Sequence, residues 1–116
     1  AKRLGDRWKQ IAPLRTLLAR QVPVAIGSDN LPLGPLLGIA AAVNHPVPEE
    51  RISVNEAIRL YTQAGAALAG DGEELGMLSE GMRADCVALS GDLLTDPASC
   101  RVEQTVLGGE VVYENC

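Results

Sequence analysis

A carboxylate placed directly after a short apolar run is the feature of this sequence with the clearest chemical potential. Residues 22–27, Val-Pro-Val-Ala-Ile-Gly, are followed by Ser28, Asp29 and Asn30. A buried parallel strand delivers a catalytic or metal-binding carboxylate in this way, at its carboxyl end. Side chains of these three polar types also make turns by hydrogen bonding to their own backbone. The stretch is therefore consistent with an Asp29 that takes part in chemistry or with a simple turn.

The composition limits the kinds of partner. The 116 residues carry 15 Asp and Glu against 10 Lys and Arg, a net charge of −5, with no Phe, one Trp and two Tyr. Binding to a phosphate backbone needs clustered Lys and Arg, and single-stranded nucleic acid needs aromatic side chains on which bases stack. No apolar run approaches the roughly 20 residues of a membrane span, and the amino-terminal sequence has no apolar signal-peptide core. We therefore expect a cytoplasmic protein that binds neither nucleic acid nor membrane.

Residues that often hold metals or act as nucleophiles are few. Cys86, Cys100 and Cys116 are an odd number and lack the spacing of a zinc site. His45, the single histidine, follows a helix in an Asn-His-Pro loop, where we expect a solvated or capping side chain. Asp85 is expected to hold a turn, and Cys86 to be a small apolar residue of a strand. The residues by themselves therefore indicate no second reactive site.

Helical patterns give way to strand patterns along the chain. The predicted helices cover 13–20, 36–43 and 54–69, and the predicted strands cover 22–27, 75–78, 86–89, 102–107 and 110–113. The strand 22–27 is apolar at successive positions, which is typical of a strand covered on both faces. We therefore predict an α+β chain with a helical part, residues 1–72, and a β-rich part, residues 73–116.

Three local signals mark the ends of these elements. Ser53 and Glu56 match a capping box, in which each side chain hydrogen-bonds the other residue's backbone amide at the start of a helix. Gly70 lies where that helix would end, since glycine adopts the left-handed conformation of a helix C-terminus. Gly108-Gly109 predicts a tight hairpin, because both central residues of a type I′ turn need positive φ.

Five stretches of the sequence occur in an order that resembles a known family. They are Val-Ala-Ile-Gly-Ser-Asp at 24–29, Pro-Leu-Leu-Gly-Ile-Ala-Ala-Ala-Val at 35–43, Pro-Glu-Glu-Arg-Ile-Ser-Val-Asn-Glu-Ala-Ile at 48–58, Leu-Gly-Met-Leu-Ser-Glu-Gly-Met-Arg-Ala-Asp at 75–85, and Val-Leu-Gly-Gly-Glu-Val-Val-Tyr at 106–113. Together they resemble the C-terminal end of the metal-dependent amidohydrolase superfamily, namely amidohydrolase family 3. The resemblance is closest to the N-substituted formamide deformylase-like branch.

The resemblance implies a (β/α)8 barrel with a metal centre, plus a composite β-sandwich built from both chain ends. The segment that ends at Asp29 would be the last barrel strand, and the strands within 75–113 would belong to the sandwich. Asp29 would bind zinc or another divalent metal and would accept a proton from the attacking water. Such chemistry needs a carboxylate, because a metal-bound water becomes a nucleophile near neutral pH only if its proton has an acceptor.

The chain lacks most of what that site requires. A (β/α)8 barrel takes about 250 residues, whereas this chain has 116 and offers one barrel strand and one histidine. Zinc sites of this kind take three protein ligands and keep one position open. We therefore expect an incomplete barrel that holds no metal by itself and is inactive alone, with Asp29 as one wall of a larger site.

Two functions are compatible with this sequence. The chain is a C-terminal portion of a hydrolase of non-peptide carbon–nitrogen bonds that lacks an N-terminal region, or it is a non-catalytic, self-associating module derived from that C-terminus. A complete small hydrolase with a Ser or Cys nucleophile has little support, because no nucleophile-elbow pattern is present. In either case the unpaired apolar strand 22–27 predicts a homo-oligomer, a dimer that buries this strand or exchanges an element.

Overall fold

A computed structural model describes residues 3–29 and 34–115 and shows helices followed by a small sheet. The helices are α1 (Leu14–Ala19), α2 (Pro35–Val43), α3 (Val54–Tyr61) and α4 (Gln63–Ala69), with short 3-10 turns at Gly5–Gln10 and Pro48–Glu50. The strands are β1 (Cys86–Ser90), β2 (Arg101–Leu107) and β3 (Glu110–Glu114). The predicted α+β class is confirmed. None of the helices in the described ranges has the length and apolarity to cross a membrane.

Helix α1 ends in a turn that redirects the chain. Gln21 has a φ of +56°, and the N–H of Val22 reaches back to the carbonyl of Leu17 at 3.1 Å while that of Gln21 reaches Leu18 at 2.9 Å. This pair of bonds satisfies two carbonyl groups that a helix C-terminus otherwise leaves without partners. The turn sends residues 22–29 back across the helices.

The capping box at the start of α3 is confirmed. The N–H of Glu56 donates to Ser53 Oγ at 3.2 Å, and the N–H of Ser53 donates to Glu56 Oε2 at 2.7 Å. The single helix predicted over 54–69 is instead two helices, because Thr62 leaves helical geometry with φ −108° and ψ −83°. Its hydroxyl donates to the carbonyl of Ile58 at 2.9 Å, a back-bond that often bends a helix. Gly70, with φ +91°, ends α4 as predicted.

The largest cluster of buried apolar side chains lies within the helical part, while Cys100 is buried separately in the β-rich part. The members of this cluster are Leu14, Ile39, Ala42, Ile52, Ala57 and Leu60, with Val24 and Ile26 packed against them. Ala57 has no exposed surface at all, which explains why a small residue occurs where α3 faces its neighbours. Burial of apolar side chains contributes roughly 25 cal/mol per Å², so this cluster is the main source of stability among the described residues.

The strand predicted over residues 22–27 does not form. This stretch joins no sheet, and among the described residues its one backbone bond to α3 runs from the N–H of Ile26 to the carbonyl of Leu60 at 3.2 Å. A strand needs a second strand to accept its ladder of hydrogen bonds. The side chains of Val24 and Ile26 face the core while Val22 is 41% exposed, so the stretch is covered by helices on one side only.

Three antiparallel strands make the sheet, in the order β1-β2-β3. Gly108 and Gly109 have φ of +59° and +87°, as the predicted hairpin requires. The prediction of a strand at residues 75–78 is wrong: these residues form turns between α4 and β1. Gly76 has φ +104°, and a Cβ there would lie 2.9 Å from Gln63 Cα. The stretch therefore packs as a turn on the start of α4.

Asp85 has the structural role expected of it. Its Oδ1 accepts from the N–H of Gly108 at 2.7 Å, and its Oδ2 accepts from Arg83 Nη2 at 2.6 Å. The Arg83 guanidinium and then the Gly108 amide hold the pKa of Asp85 below its usual range. The residue thereby fastens the β2–β3 hairpin to the start of β1.

An ion pair joins α1 to the start of α3. Arg15 Nη1 and Nη2 donate to the two carboxylate oxygens of Glu56 at 2.8 and 2.9 Å, and Ser53 Oγ donates to Oε2 at 2.8 Å. The Arg15 contact and then the Ser53 amide lower the pKa of Glu56 to about 2. One carboxylate therefore caps its own helix and holds a second helix.

A close contact sets the distance between α2 and α3. The ring and hydroxyl of Tyr61 lie directly on Gly38, so that a Cβ added at Gly38 would overlap them. Glycine in a helix is unfavourable by about 1 kcal/mol relative to alanine. Its presence at position 38 is explained by the space that the Tyr61 ring takes.

We expect Gly38→Ala to lower the free energy of unfolding by about 1–3 kcal/mol, since the added methyl group overpacks this contact. In a Tyr61→Ala background the same change removes no contact and gains helix propensity, up to about 1 kcal/mol of stabilisation. Urea denaturation of the four chains in this cycle measures the coupling. If Gly38→Ala changed the free energy of unfolding equally in both backgrounds, the Gly38–Tyr61 contact would not be the cause.

The depressed pKa of Glu56 predicts a stability that falls with acid. Because the folded-state pKa of about 2 lies below the unfolded value of about 4.3, the stabilisation is complete above the unfolded pKa and is lost as pH falls through the folded pKa. Glu56→Gln should therefore be less stable than the parent chain at pH 7 and nearly equal to it at pH 2. Denaturation at both pH values checks this, with the exposed Glu49 replaced by Gln as the control whose difference does not change.

Candidate functional site

Asp29 ends the segment that crosses the helical core. Its backbone has a φ of +40°, in the left-handed region that Asp and Asn tolerate better than other side-chain-bearing residues. Its side chain is exposed. Both a turn and a solvent-facing reactive carboxylate are compatible with this geometry.

Helices on two sides fix the position of Asp29. The turn after α1 sets where the segment begins, and the bond from Ile26 N–H to the Leu60 carbonyl ties it to α3 three residues before Asp29. The ion pair between Arg15 and Glu56 holds those two helices together. The carboxylate therefore depends for its placement on contacts made well away from it.

Glu50 makes a further contact with α1 that the sequence did not reveal. The sequence Glu49-Glu50-Arg51 is typical of a solvated surface or of a helix cap, and Glu50 is buried, with 9% of its surface exposed. Its carboxylate accepts from the N–H of Thr16 at 2.9 Å and from the Thr16 hydroxyl. These two bonds lower the pKa of Glu50. A carboxylate at the first turn of a helix satisfies an amide that has no partner within the helix and complements the helix dipole.

A cavity of about 490 Å³ lies beside the segment that ends at Asp29. Gly27 and Ser28 line one side, Gly38 and Ala41 of α2 another, and His45 and Tyr61 complete its polar lining. Apolar and small side chains form most of the wall. This cavity is open to solvent, and Gly27 and Ser28 in its wall directly precede Asp29.

His45 is buried rather than solvated, with 8% of its surface exposed. The alternative that the sequence left open, a capping role, is what the structure shows: His45 Nδ1 accepts from the N–H of Val47 at 3.1 Å. Its carbonyl accepts from Arg51 Nε at 3.0 Å. The apolar helix before it and Pro46 after it are the only sequence signals for this burial.

The described residues do not fit a metal ion. Within residues 3–29 and 34–115, no group of three or more His, Cys, Asp or Glu side chains converges as a metal site requires. Asp29 alone supplies one ligand where a catalytic zinc takes three. Cys86 and Cys100 are free thiols, and Cys116 lies outside the described residues. No catalytic step through a metal is derived from these residues.

A wider groove separates the helices from the sheet. It measures about 990 Å³ and is lined by Ile58 and Arg59 of α3, by Met77 and Leu78, and by Val87 of β1. Leu78 and Val87 are 72% and 52% exposed. The carboxylate of Asp85 lies beside this groove, and its hydrogen bonds already hold the β2–β3 hairpin to the start of β1. The groove is mostly apolar, and its lining also includes Arg59, Asp71 and the free thiol Cys86.

Comparison with known proteins places the chain among hydrolases. The model of a family described as "Amidohydrolase family" matches residues 2–113. YtcJ of Bacillus subtilis (strain 168), whose name includes the word amidohydrolase, is 38% identical over 129 residues, covering 97% of this chain and 24% of that protein. An imidazolonepropionase of Xanthomonas oryzae pv. oryzae (strain PXO99A) is 35% identical over 80 residues, covering 68% of this chain and 20% of that protein.

A solved structure shows a similar fold. The crystal structure of an amidohydrolase from Thermotoga maritima MSB8 superposes with a TM-score of 0.54 at 20% identity, covering 97% of this chain and 36% of that one. The small α+β arrangement thus fits a part of a larger domain. The chain spans only about a quarter of YtcJ and a fifth of the imidazolonepropionase.

The positive φ of Asp29 predicts an unusual order of stabilities. We expect Asp29→Gly to be more stable than Asp29→Ala by about 1 kcal/mol, because glycine adopts the left-handed conformation without a Cβ penalty. At Asp6, in the 3-10 turn with ordinary φ, alanine should be the better replacement. Thermal unfolding of the four variants tests the order. An Asp29→Ala chain at least as stable as Asp29→Gly would show that Asp29 carries no backbone strain.

Proposed function

The chain belongs to the amidohydrolase family, and from that premise we propose that it is the C-terminal part of a metal-dependent hydrolase of non-peptide carbon–nitrogen bonds. Within the family, the motifs favour the N-substituted formamide deformylase-like branch. The remainder of the enzyme supplies the other barrel strands and the other metal ligands. Residues 1–72 would then belong to the barrel, and residues 73–116 would belong to the composite sandwich. The enzyme would be cytoplasmic.

One observation carries this proposal: Asp29 is an exposed carboxylate at the end of a segment held rigidly across two helices. In the proposed site the Asp29 carboxylate accepts the proton of the attacking water, and a divalent metal, most simply zinc, supplies Lewis acidity when bound. The backbone turn at Asp29 and the bond between Ile26 and Leu60 orient the carboxylate. Positioning of this kind is what an acid–base group needs, since proton transfer requires hydrogen-bond reach.

The incomplete ligand set supports inactivity of the chain by itself. Among the described residues, Asp29 belongs to no group of three or more His, Cys, Asp or Glu side chains that could hold a metal ion, and the chain covers 24% of the length of YtcJ. Activity in this proposal therefore needs a preceding region that carries histidines. The coding sequence immediately upstream is the direct place to find it, as an in-frame His-x-His segment.

The test compares the protein extended by that upstream region with the chain alone. We expect the extended protein, with zinc, to hydrolyse small N-substituted formamides or amides and the chain alone to show no turnover and only substoichiometric zinc. Asp29→Asn in the extended protein should lower kcat/KM by about a hundredfold or more, whereas the exposed Asp6→Asn should leave it unchanged. Turnover by the chain alone, or full activity of Asp29→Asn, would overturn the proposal.

A second candidate is a non-catalytic module that self-associates. Its supporting observation is that residues 22–27 join no sheet and that Val22 is 41% exposed, so an apolar segment has room to pair with a second copy. A start codon directly at this point would favour the module over the enzyme part. Light scattering then decides on association: a dimer is expected, and a monomer at high concentration would contradict it.

A further inference from the structure

The positive charges of this chain are concentrated in and before the first helix. Six of the ten Lys and Arg residues fall within the first 20 positions, against one of the 15 Asp and Glu residues, namely Asp6. Arg15 on α1 is already paired with Glu56, and Arg20 follows α1 at its carboxyl end. The remaining cations that the structure describes in this region precede α1, and they are Arg3, Arg7 and Lys9.

These three cations lie on an exposed stretch, residues 3–9, which we call the cationic segment. Its 3-10 turn buries none of its residues, and all three cationic side chains are exposed. Within residues 3–29 and 34–115 none of the three forms an ion pair. Asp6 offsets one of the three charges. The positive excess that remains attracts anions from solution.

The fold brings the cationic segment to the end of the molecule where Asp29 lies. The turn after α1 reverses the chain, so that residues 22–29 run from the carboxyl end of α1 toward its amino end. Ala12, just before α1, accordingly lines the same open depression as Gly27 and Ser28, the two residues that precede Asp29. The cationic segment therefore leads directly into the region of the proposed chemistry.

The cations lie beside this depression and are not part of its lining. Lys9 is within about 11 Å of Ala12, because three residues cannot span more. Charges act over this range, since the Debye length is about 8 Å at physiological ionic strength. The cations are thus available to a charged group that projects from the depression, at a distance from the reacting bond. An attraction to such a group lowers KM and leaves kcat unchanged, because it is equally strong before and during the reaction.

We propose that the cationic segment makes the enzyme selective for substrates that carry a carboxylate beyond the carbon–nitrogen bond that is cleaved. The inference rests on the hydrolase function proposed above and specifies its substrate class. Arg3, Arg7 and Lys9 are then specificity-determining residues, which donate charge-assisted hydrogen bonds to that carboxylate. The carboxylate stays apart from Asp29, because the reacting bond lies between them.

The test compares three formamides of similar length that differ in the charge of the end group, namely those of β-alanine, propylamine and ethylenediamine. The protein is the one extended by its upstream region. We expect kcat/KM for the anionic β-alanine compound to exceed that for the neutral propylamine compound by about fivefold, with the difference in KM. The cationic ethylenediamine compound should be the poorest. Salt at about 1 M, where the Debye length is about 3 Å, should bring the three values together.

Two triple variants of equal net charge locate the effect. Replacement of Arg3, Arg7 and Lys9 by Gln should lower kcat/KM for the β-alanine compound to the value for the propylamine compound. The control replaces three exposed cations elsewhere by Gln and should keep the preference; these are Arg20, Arg59 and Arg101. If the first triple variant fails to fold, Arg7→Gln and Lys9→Gln are measured singly, each with an expected loss of about twofold in the preference.

The outcomes separate this inference from the hydrolase proposal. Turnover without a preference for the anionic compound, or a preference that survives the first triple variant, would overturn the inference and leave the hydrolase function in place. An equal loss for all three compounds in that variant would show that the cations hold the preceding region instead, and would also overturn it. If no compound is hydrolysed, the hydrolase proposal fails, and calorimetry of the three compounds with the extended protein decides. Equal or undetectable binding would then refute the selectivity.

Discussion

The Glu56 carboxylate is the polar contact on which the arrangement of the helices depends. It accepts from the amide and hydroxyl of Ser53 at the start of its own helix and from both terminal nitrogens of Arg15 on α1. A helix cap and an ion pair each contribute only modestly to the free energy of unfolding when they are made by separate side chains. Here they share one carboxylate, so the direction of α3 and the position of α1 are set together. The segment that leads to Asp29 starts from one of these helices and is tied to the other.

Signals that are complete within a few residues were readable from the sequence. The capping box needs only Ser53 and Glu56, the hairpin needs only Gly108 and Gly109, and the structure has both. Signals that depend on neighbours were not. The apolar stretch 22–27 has the pattern of a covered strand, but a strand forms only beside another strand, and none of the described residues provides one. The break at Thr62 in the helix predicted over 54–69 was also not readable, because it accompanies a hydrogen bond from the Thr62 hydroxyl to a backbone carbonyl instead of to water.

The features of the candidate site also separate into those that the residue types reveal and those that depend on the folded structure. Asp29 stood out because an acidic residue directly after an apolar run is compatible with a reactive carboxylate as well as with a turn, whereas its positive φ could not be read from residue types. The hydrogen-bond partner of the buried Glu50 is distant in sequence, since Thr16 on α1 donates to its carboxylate, whereas the polar contacts of the buried His45, with Val47 and Arg51, are local. A lone charged residue in a loop gives no sign of the distant partner that buries it. Family membership supplied what the local pattern lacked, by showing that this chain corresponds to a part of larger proteins.

The outer strand of the sheet has a consequence for the behaviour of the chain at high concentration. All five residues of β3 are exposed, and Val111, Val112 and Tyr113 form an apolar centre between Glu110 and Glu114. If two copies added edge to edge as antiparallel strands centred on Val112, each Glu110 would face a Glu114 of the other copy, and like charges directly opposite are destabilising. Terminal acids of this kind act as gatekeepers against sheet-to-sheet aggregation.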